Sequence, residues 1–400
     1  MKKIVSLYLV IAFVLNVSAQ NEMLYSVENN MPLFYQQLKE QLTYPWAWQN
    51  KQQSMTFDEW REKARKEIID KTMQIAPPAP DNFRYEVIAR EQREGYEAQK
   101  ILFNINKWEK TLAYLLVPNK VKKAPALLML HDHGAHFAIG KEKMVKPFGV
   151  DSVIIKDAEQ WIAACYDSIY VGDELAKAGY VVLSIDALFW GDRSRKEDRI
   201  DIAKALSTKE RKQKTYDTQQ ALSSNLLQMG TSWGAWMTWD DMRAAQFLAN
   251  LPMVDKKNVG CVGFSMGSYR SWMLAAMSDD IKAAANICWM NDTEHLMTLT
   301  NNQNKGGSAY SMLIPALRRY MDYPHVAAMA CPKPTLFFNG TKDKLFPVAG
   351  VEDAYRIMRQ VWQSQQADDR LTTRLWEEKH FFSRAMQEAT LQFFDRWLKP

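Results

Sequence analysis

Cysteine is scarce in this chain. The 400 residues contain four, and no two of them have the C-x-x-C spacing of a zinc or redox motif. Cys261 and Cys288 lie inside short apolar runs that are typical of buried strands. The sequence therefore predicts free, buried thiols, and it excludes a fold that depends on disulfide staples.

An excess of charge of one sign is also lacking. The 51 Lys and Arg residues stand against 46 Asp and Glu, and the net charge of +5 argues against nucleic acid as the main partner. Beyond the N-terminus, no segment is long and apolar enough for a membrane helix, so no stable membrane insertion is predicted. The hydrophobic share of 47% and charged share of 24% are globular values and exclude a disordered chain.

Aromatic side chains, by contrast, are abundant: the chain has 14 Trp, 16 Tyr and 17 Phe. Such a content suits a large hydrophobic core, which is the favoured interpretation. It also suits a cleft that stacks on the flat faces of ligands such as sugars.

The first 19 residues have the composition of a secretory signal peptide. Lys2 and Lys3 form a basic region, residues 4–14 are almost entirely apolar, and Val17-Ser18-Ala19 fits a cleavage site. We expect cleavage near Ala19 and export to the periplasm or the extracellular space.

The mature chain is predicted to comprise an N-terminal helical extension over 20–80 and one catalytic domain over 81–400. Thr56 and Glu59 form a capping box, which predicts a helix from Phe57 to about Gln74. Three short β-like runs follow, and apolar runs then alternate with helical stretches as far as a last amphipathic helix. This alternation predicts an α/β fold with a mostly parallel sheet covered on both faces.

Two long insertions, 193–230 and 291–330, interrupt the alternation. The first is rich in Lys and Arg and then becomes a polar helix; the second is rich in loops. Insertions on such a scaffold often build the rim of a site, although a solvated charged helix without a role fits the first one equally well.

The pattern G-x-S-x-G occurs twice, around Ser232 and around Ser265. In a nucleophile elbow, the serine lies on a tight turn from a strand into a helix. The run 258–262 before Gly263 predicts a buried strand, whereas the run 222–229 predicts helix or loop. We therefore predict Ser265 as the nucleophile and Ser232 as the start of a helix.

A serine nucleophile needs a base, and the chain has six histidines. Proteins with such an elbow carry their triad in the order Ser, acid, His. His380 lies between the last predicted strand and the last helix, so we predict it as the base. Asp343 follows the preceding strand and is the predicted acid, with Asp292 and Asp322 as competitors.

The developing oxyanion needs two donors. The backbone N–H of Met266 is one, and the N–H of His133 or Gly134, in the loop after the run 126–131, is the other. The same loop also offers an alternative, because His131, His133 and His136 have the H-x-H-x-x-H spacing of a zinc site. Further ligands for such a site are not evident in the sequence.

Together, these residues resemble the α/β-hydrolase superfamily, and more narrowly its dienelactone-hydrolase-like and acetyl-xylan-esterase-like branch of exported bacterial enzymes. The resemblance covers most of residues 57–400. It implies an α/β-hydrolase fold and a serine esterase without a metal or other cofactor. Asp132 departs from the branch, which usually has Gly there, and Ser265 replaces the Cys of true dienelactone hydrolases.

The resemblance further implies a small-molecule or glycan ester as the substrate, such as an acetyl ester on a carbohydrate. Trp190, Arg193 and Trp289 follow predicted strands, at the edge where ligands bind in such sheets, and are candidate substrate contacts. Three alternatives stay open: a peptidase of the prolyl-oligopeptidase type, a metal-dependent hydrolase using residues 131–136, and a non-catalytic binding protein on the same scaffold.

Overall fold

A nine-stranded sheet forms the centre of the molecule in the computed structural model, which describes residues 33–51, 54–119, 121–194, 208–298, 301 and 306–399. The predicted signal peptide lies outside these residues. The spatial order of the strands is β1-β2-β3-β5-β4-β6-β7-β8-β9. Their bounds are β1 Tyr85–Arg93, β2 Tyr96–Asn104, β3 Lys110–Pro118, β4 Ala124–Leu130, β5 Val181–Ile185, β6 Val254–Phe264, β7 Ala283–Ile287, β8 Thr335–Gly340 and β9 Leu371–Trp376.

The direction of each strand follows its hydrophobic pattern. In β1, partly buried residues alternate with exposed ones, as expected for an antiparallel edge strand with one face in solvent. By contrast, every residue of β5, β7 and β8 is buried. The six strands β5, β4, β6, β7, β8 and β9, in their spatial order, pair in parallel. The pairs β1–β2, β2–β3 and β3–β5 are antiparallel.

Helices cover both faces of the sheet. Their bounds are α1 Leu33–Glu40, α2 Phe57–Thr72, α3 Ser152–Cys165, α4 Val171–Lys177, α5 Thr208–Gln228, α6 Trp233–Ala249, α7 Met266–Met277, α8 Thr293–Leu296, α9 Gly306–Met312, α10 Leu317–Tyr320, α11 Tyr323–Ala328, α12 Val348–Ser364 and α13 Arg384–Leu398. Helices α6, α7 and α12 enclose one core, and α4 and α13 enclose the other. None of the described helices is long and apolar enough to cross a membrane.

The N-terminal extension packs on the first of these cores. Thr56 and Glu59 form the predicted capping box at the start of α2. Trp60, Ala64 and Ile68, which recur at helical spacing, are buried in this core. The extension is therefore continuous with the core beneath the sheet, and a boundary at residue 80 stays a prediction.

Helix α3 is the longest of the helices that sequence reasoning missed; the others are α1 and the short helices α8 to α11, in the insertion that was expected to be rich in loops. Asp151 caps α3 by accepting a hydrogen bond from the N–H of Val153, and Ile154, Ala158 and Ile162 are buried at intervals of four residues. Both signals were available in the sequence. All four cysteines are free, as predicted, and Cys165 at the end of this helix is the one that is only half-buried.

Candidate active site

Ser265 occupies the sharp turn between β6 and α7. Its backbone has φ 56° and ψ −124°, a conformation that non-glycine residues rarely adopt. Two glycines make the turn possible. A Cβ on Gly263 would lie 2.0 Å from the carbonyl oxygen of Gly267, and a Cβ on Gly267 would lie 1.8 Å from that of Leu130. The predicted elbow geometry is present, and it depends on the absence of both side chains.

A chain of hydrogen bonds connects this serine to two side chains that follow β8 and β9. His380 Nε2 lies 2.8 Å from Ser265 Oγ, and His380 Nδ1 lies 2.6 Å from Asp343 Oδ2. The Asp343 side chain is fully buried, whereas that of His380 is 22% exposed. Asp343 Oδ1 accepts a hydrogen bond from the N–H of Leu345 at 2.8 Å, which fixes the carboxylate. The three residues predicted from the sequence are therefore connected by hydrogen bonds in the order Ser265, His380, Asp343.

Aromatic rings and a thiol surround the imidazole of His380. The ring of Phe346 stacks on it with an interplanar angle of 26°, and Phe264 packs on it at a centroid distance of 4.9 Å. Cys288 is buried beside the pair, with its thiol 3.7 Å from the carbonyl oxygen of Phe381. Burial raises the pKa of this thiol, with the carboxylate of Asp343 adding to the effect, so Cys288 is a neutral neighbour of the pair.

The second G-x-S-x-G segment has a different structure. Ser232 is the N-cap of α6, and its hydroxyl accepts a hydrogen bond from the N–H of Ala235 at 3.2 Å. Its backbone is extended, with φ −143° and ψ 161°. The prediction that Ser232 starts a helix is confirmed.

The loop after β4 runs beside the elbow, and two buried side chains hold its carbonyl groups. Lys143 Nζ donates to the carbonyl oxygens of Asp132 at 3.1 Å and His133 at 2.9 Å. The indole N–H of Trp190 also donates to the carbonyl of His133, at 3.0 Å. Gly134 follows with φ 56°, where a Cβ would collide with the ring of Trp161.

Asp132, the departure from the family pattern, anchors this loop. Its Oδ2 accepts hydrogen bonds from Tyr166 Oη at 2.5 Å and Trp161 Nε1 at 3.1 Å. The ammonium of Lys143 lies 3.6 Å from its Oδ1. Because Lys143 is buried, its pKa is lowered, although Asp132 opposes the shift. Sequence reasoning assigned no role to this lysine, because a Lys in a Lys-Glu-Lys run is usually a solvated residue.

A second buried ionic cluster supports the same region. Lys141 Nζ contacts carboxylate oxygens of Asp186 at 2.8 Å, Glu142 at 2.9 Å and Asp192 at 2.5 Å. The Asp186 carboxylate also accepts the backbone N–H groups of Lys141 and Asp192. Burial raises the pKa of Asp186 to about 6, although Lys141 opposes the shift. A Cβ on Gly191 would lie 2.4 Å from this carboxylate, so the cluster fixes the turn at that glycine.

The ring nitrogens of His131 do not support the zinc alternative. Its Nδ1 donates to the carbonyl oxygen of Asp132 at 2.8 Å, so its Nε2 accepts the N–H of Ala187 at 2.9 Å. Burial lowers the pKa of His131 well below its usual value, and the cationic groups of Arg270 and Lys143 add to this. His131 is thus a neutral structural residue with both nitrogens engaged.

His136 and the two competing acids, Asp292 and Asp322, have partners other than the Ser265–His380–Asp343 set. His136 Nδ1 contacts Asp157 Oδ1 at 2.6 Å. Asp292 caps α8 and contacts His295 Nδ1 at 2.8 Å, and Asp322 caps α11. Neither competitor for the acid contacts His380 within the described residues.

The structure places the side chains of the three predicted substrate contacts in buried positions rather than on an open surface. Trp190 is fully buried and serves as a donor to the loop after β4. The Arg193 guanidinium pairs with Asp240 at 2.6 Å, and its side chain is only 7% exposed. Trp289 is 2% exposed and packs on other aromatic rings. Position after a strand was a correct signal for the edge of the sheet, but it does not distinguish the lining of a cleft from its support.

Comparison with known proteins assigns the chain to a family. The model of an Abhydrolase family, Abhydrolase_7, matches residues 31–373. The chain belongs to this family. The predictions of an α/β-hydrolase fold and of a hydrolytic enzyme are confirmed by the match and by the parallel sheet. By sequence, YtaP of Bacillus subtilis (strain 168), named as a hydrolase, is 26% identical over 314 residues, which span 78% of this chain and 92% of YtaP.

Solved structures share this fold at low sequence identity. A protein of Bacteroides fragilis NCTC 9343 assigned as an acetyl xylan esterase superposes with a TM-score of 0.66 at 19% identity, over 90% of this chain and 86% of that one. A glucuronoyl esterase from Solibacter usitatus superposes with a TM-score of 0.57 at 13% identity, over 93% and 96% of the two chains. Both superpositions agree with the α/β-hydrolase fold of this chain.

Proposed function

We propose that this Abhydrolase family member is a serine esterase that cleaves a carboxylic ester on a carbohydrate through an acyl-enzyme. One observation carries the proposal. Ser265 Oγ, both ring nitrogens of His380 and the Asp343 carboxylate are connected at 2.8 and 2.6 Å, with the serine held on the strained elbow. This is the arrangement in which a hydroxyl is activated by a neighbouring base.

The proposed reaction begins with proton transfer. His380 Nε2 takes the proton of Ser265 Oγ as the oxygen attacks the ester carbonyl, and the carboxylate of Asp343 stabilises the imidazolium that forms. The imidazolium then protonates the leaving alcohol, and the acyl group stays on Ser265. Water then attacks the acyl carbonyl as His380 takes its proton, and His380 passes that proton to Ser265 Oγ as the bond to the acyl group breaks and the acid leaves.

The oxyanion is proposed to bind to the backbone N–H of Met266 and to the N–H of His133 or Gly134. Met266 is the first residue of α7, so its N–H has no partner within the helix. In a planar trans peptide, the N–H points away from the preceding carbonyl. Because Lys143 holds the carbonyls of Asp132 and His133, it directs the N–H groups of His133 and Gly134 to the opposite side of the loop.

The carbohydrate ester is the finer part of the proposal, and the esterases among the structural neighbours support it. Export after cleavage near Ala19 is part of the same proposal and rests on the sequence of residues 1–19. An acetylated glycan would meet the enzyme outside the cytoplasm. N-terminal sequencing of the protein recovered from periplasm or medium tests the cleavage site, and an uncleaved N-terminus in the cytoplasm would contradict export.

Hydrolysis of three substrates tests the function: acetylated xylo-oligosaccharides, 4-nitrophenyl acetate and a prolyl peptide anilide. We expect turnover of both esters, loss of both with Ser265→Ala, and no effect of a chelator. Cleavage of the aryl ester but not of any acetylated sugar would refute the carbohydrate ester. Cleavage of the peptide in preference to the esters would favour the peptidase, and loss of activity with the chelator would favour the metal-dependent alternative.

The geometry also bears on the remaining alternatives. The strands of the described residues all belong to one sheet, so the propeller that accompanies the catalytic domain of prolyl oligopeptidases has no counterpart there. A binding protein without catalysis would not need Ser265 in a strained backbone conformation or His380 aligned with it. Both considerations favour the esterase.

A further inference from the structure

The turn between β2 and β3 carries an exposed tryptophan. Trp108 is 64% exposed, the highest value among the large hydrophobic side chains that the structure describes. Its ring lies parallel to that of Trp236 on α6, with an interplanar angle of 16° and a centroid distance of 6.1 Å. Trp236 is itself half-buried. The pair therefore presents an aromatic face to solvent, on which a flat apolar face of a ligand could stack.

The backbone of this turn is fixed before any ligand binds. The side chain of Asn106 is buried, and its Oδ1 accepts the N–H groups of Trp108 at 2.8 Å and Glu109 at 2.9 Å. The N–H of Lys107 donates to the carbonyl oxygen of Pro78 at 3.2 Å. Binding at Trp108 would therefore cost little ordering of the backbone.

A polar depression of about 360 Å³ lies beside Trp108 and is lined in part by the amides of Asn82, Asn104 and Asn106. The charged side chains around it are paired with one another. Lys107 Nζ lies 2.8 Å from an oxygen of Asp81, and Arg193 lies 3.4 Å from an oxygen of Glu109. Lys110 Nζ lies 4.0 Å from an oxygen of Glu86. A depression with amides and compensated charges suits a neutral ligand with many hydroxyl groups.

The strand register places this turn on the same edge of the sheet as Ser265. Ala113 of β3 pairs with Ile185 of β5, which lies level with Leu130 of β4 and Gly263 of β6. Because β3 is antiparallel to β5, the residues that precede Ala113 extend beyond the carboxyl ends of the parallel strands. The turn that carries Trp108 therefore lies at that edge of the sheet. Three strand spacings separate β3 from β6, a lateral distance of about 14 Å. A chain of a few linked sugars could span it.

We propose that Trp108 and Trp236 form a sugar-binding platform for a neutral oligosaccharide whose ester group lies at Ser265. The C–H face of one sugar ring would stack on Trp108, and its hydroxyl groups would bind the amides of Asn82 and Asn104 in the neighbouring depression, since the amide of Asn106 is engaged within the turn. The position of the platform relative to the ester rests on the function proposed above. Sugar binding at Trp108 does not, since it needs no catalysis.

Binding of unacetylated oligosaccharides to the full chain tests the platform. The probes are xylo-, gluco- and manno-oligosaccharides from disaccharide to hexasaccharide, titrated calorimetrically into wild type, Trp108→Ala, Trp236→Ala and Phe34→Ala. Phe34 is 60% exposed on α1 and is the matched control. We expect one series to bind wild type and the control equally, and to bind Trp108→Ala about tenfold more weakly, a loss of about 1.4 kcal/mol.

Two results would overturn the proposal: no oligosaccharide binds the wild type, or Trp108→Ala binds the chosen series as well as Phe34→Ala does. A kinetic comparison then tests the position of the platform. In Trp108→Ala, kcat/KM for an acetylated oligosaccharide should fall about tenfold relative to that for 4-nitrophenyl acetate, through KM rather than kcat. Binding without this selective loss would mean that the platform does not serve the ester at Ser265, whereas absence of all ester turnover would refute the esterase alone.

Discussion

The two G-x-S-x-G segments have the same pattern of residues but opposite structural roles. Around Ser265, a buried strand enters and a helix leaves, and the serine itself takes up the strained turn with φ 56°. Around Ser232, a helix enters and another leaves, and the serine is an extended N-cap. The glycines differ as well: Gly267 lies against the backbone of β4, whereas Gly234 lies against the side chain of Ile314 and the backbone of Leu313.

This difference shows that the G-x-S-x-G pattern forms an elbow only where a strand precedes it and neighbouring backbone packs against its glycines. In the elbow, glycine is required because backbone from a neighbouring strand occupies the space of a side chain. In the other segment, the helix cap would tolerate a range of residues. The hydroxyl of Ser232 is used by the N–H of Ala235, whereas that of Ser265 is oriented towards His380.

The largest expected effect separates the two serines by catalysis. Ser265→Ala should lower kcat for 4-nitrophenyl acetate on the order of 10⁵-fold, because the nucleophile is lost. Ser232→Ala should keep its kcat and lose about 1 kcal/mol of stability, because it removes a helix cap. Steady-state kinetics and urea unfolding measure the two quantities. Comparable kinetic losses in both variants would refute the distinction.

The next effect separates the glycines by stability. Gly267→Ala would place a methyl group 1.8 Å from the carbonyl oxygen of Leu130, and we expect a loss of about 4 kcal/mol or failure to fold. Gly234→Ala would meet a side-chain carbon of Ile314 at 3.0 Å and the carbonyl oxygen of Leu313 at 3.1 Å. Because shifts of a few tenths of an ångström relieve both contacts, stability should change by under about 1 kcal/mol. Equal unfolding midpoints for the two variants would contradict this account.

Much of the elbow was predictable from the sequence because its signals are local. The apolar run before Gly263 indicated the strand, and the order of Ser265, Asp343 and His380 followed from their positions after strands. The structure brings these three residues together. The alternation of apolar runs and helical stretches also predicted the mostly parallel sheet.

The support behind the site was not predictable in the same way. Lys141 and Lys143 have the sequence signature of solvated residues, and only long-range packing buries them against Asp186 and Asp132. Trp190 was correctly placed at the edge of the sheet, but whether its ring faces a ligand or the core depends on side-chain packing. Periodicity and spacing do not contain this information.

A third prediction concerns the support that Lys143 gives to the loop beside Ser265. Lys143→Met removes the ammonium that holds the carbonyls of Asp132 and His133, so the loop should lose its position relative to Ser265. We expect kcat to fall about 100-fold with a smaller change in KM. Exposed Lys123→Met is the matched control. Near-ultraviolet circular dichroism must show both variants folded, and wild-type kcat in folded Lys143→Met would contradict the role.

The smallest effect is a pH dependence of stability. The pKa of His131 is lowered well below 6.5 in the folded protein, so below about pH 6.5 the unfolded chain binds a proton that the folded one does not. This residue should therefore reduce the free energy of unfolding by about 1.4 kcal/mol per pH unit as the pH falls below 6.5. Urea unfolding between pH 7.5 and 5 should show a shallower slope in His131→Asn than in wild type. Identical slopes would mean that His131 is charged in the folded state.

Covalent labelling tests the central claim most directly. Wild type, Ser265→Ala, Ser232→Ala and His380→Ala are treated with a fluorophosphonate, and the adduct is located by peptide mass spectrometry. The account predicts one adduct, on Ser265, in wild type and Ser232→Ala, none in Ser265→Ala, and much slower labelling in His380→Ala. An adduct on Ser232, or none on wild type that is shown to be folded, would contradict it.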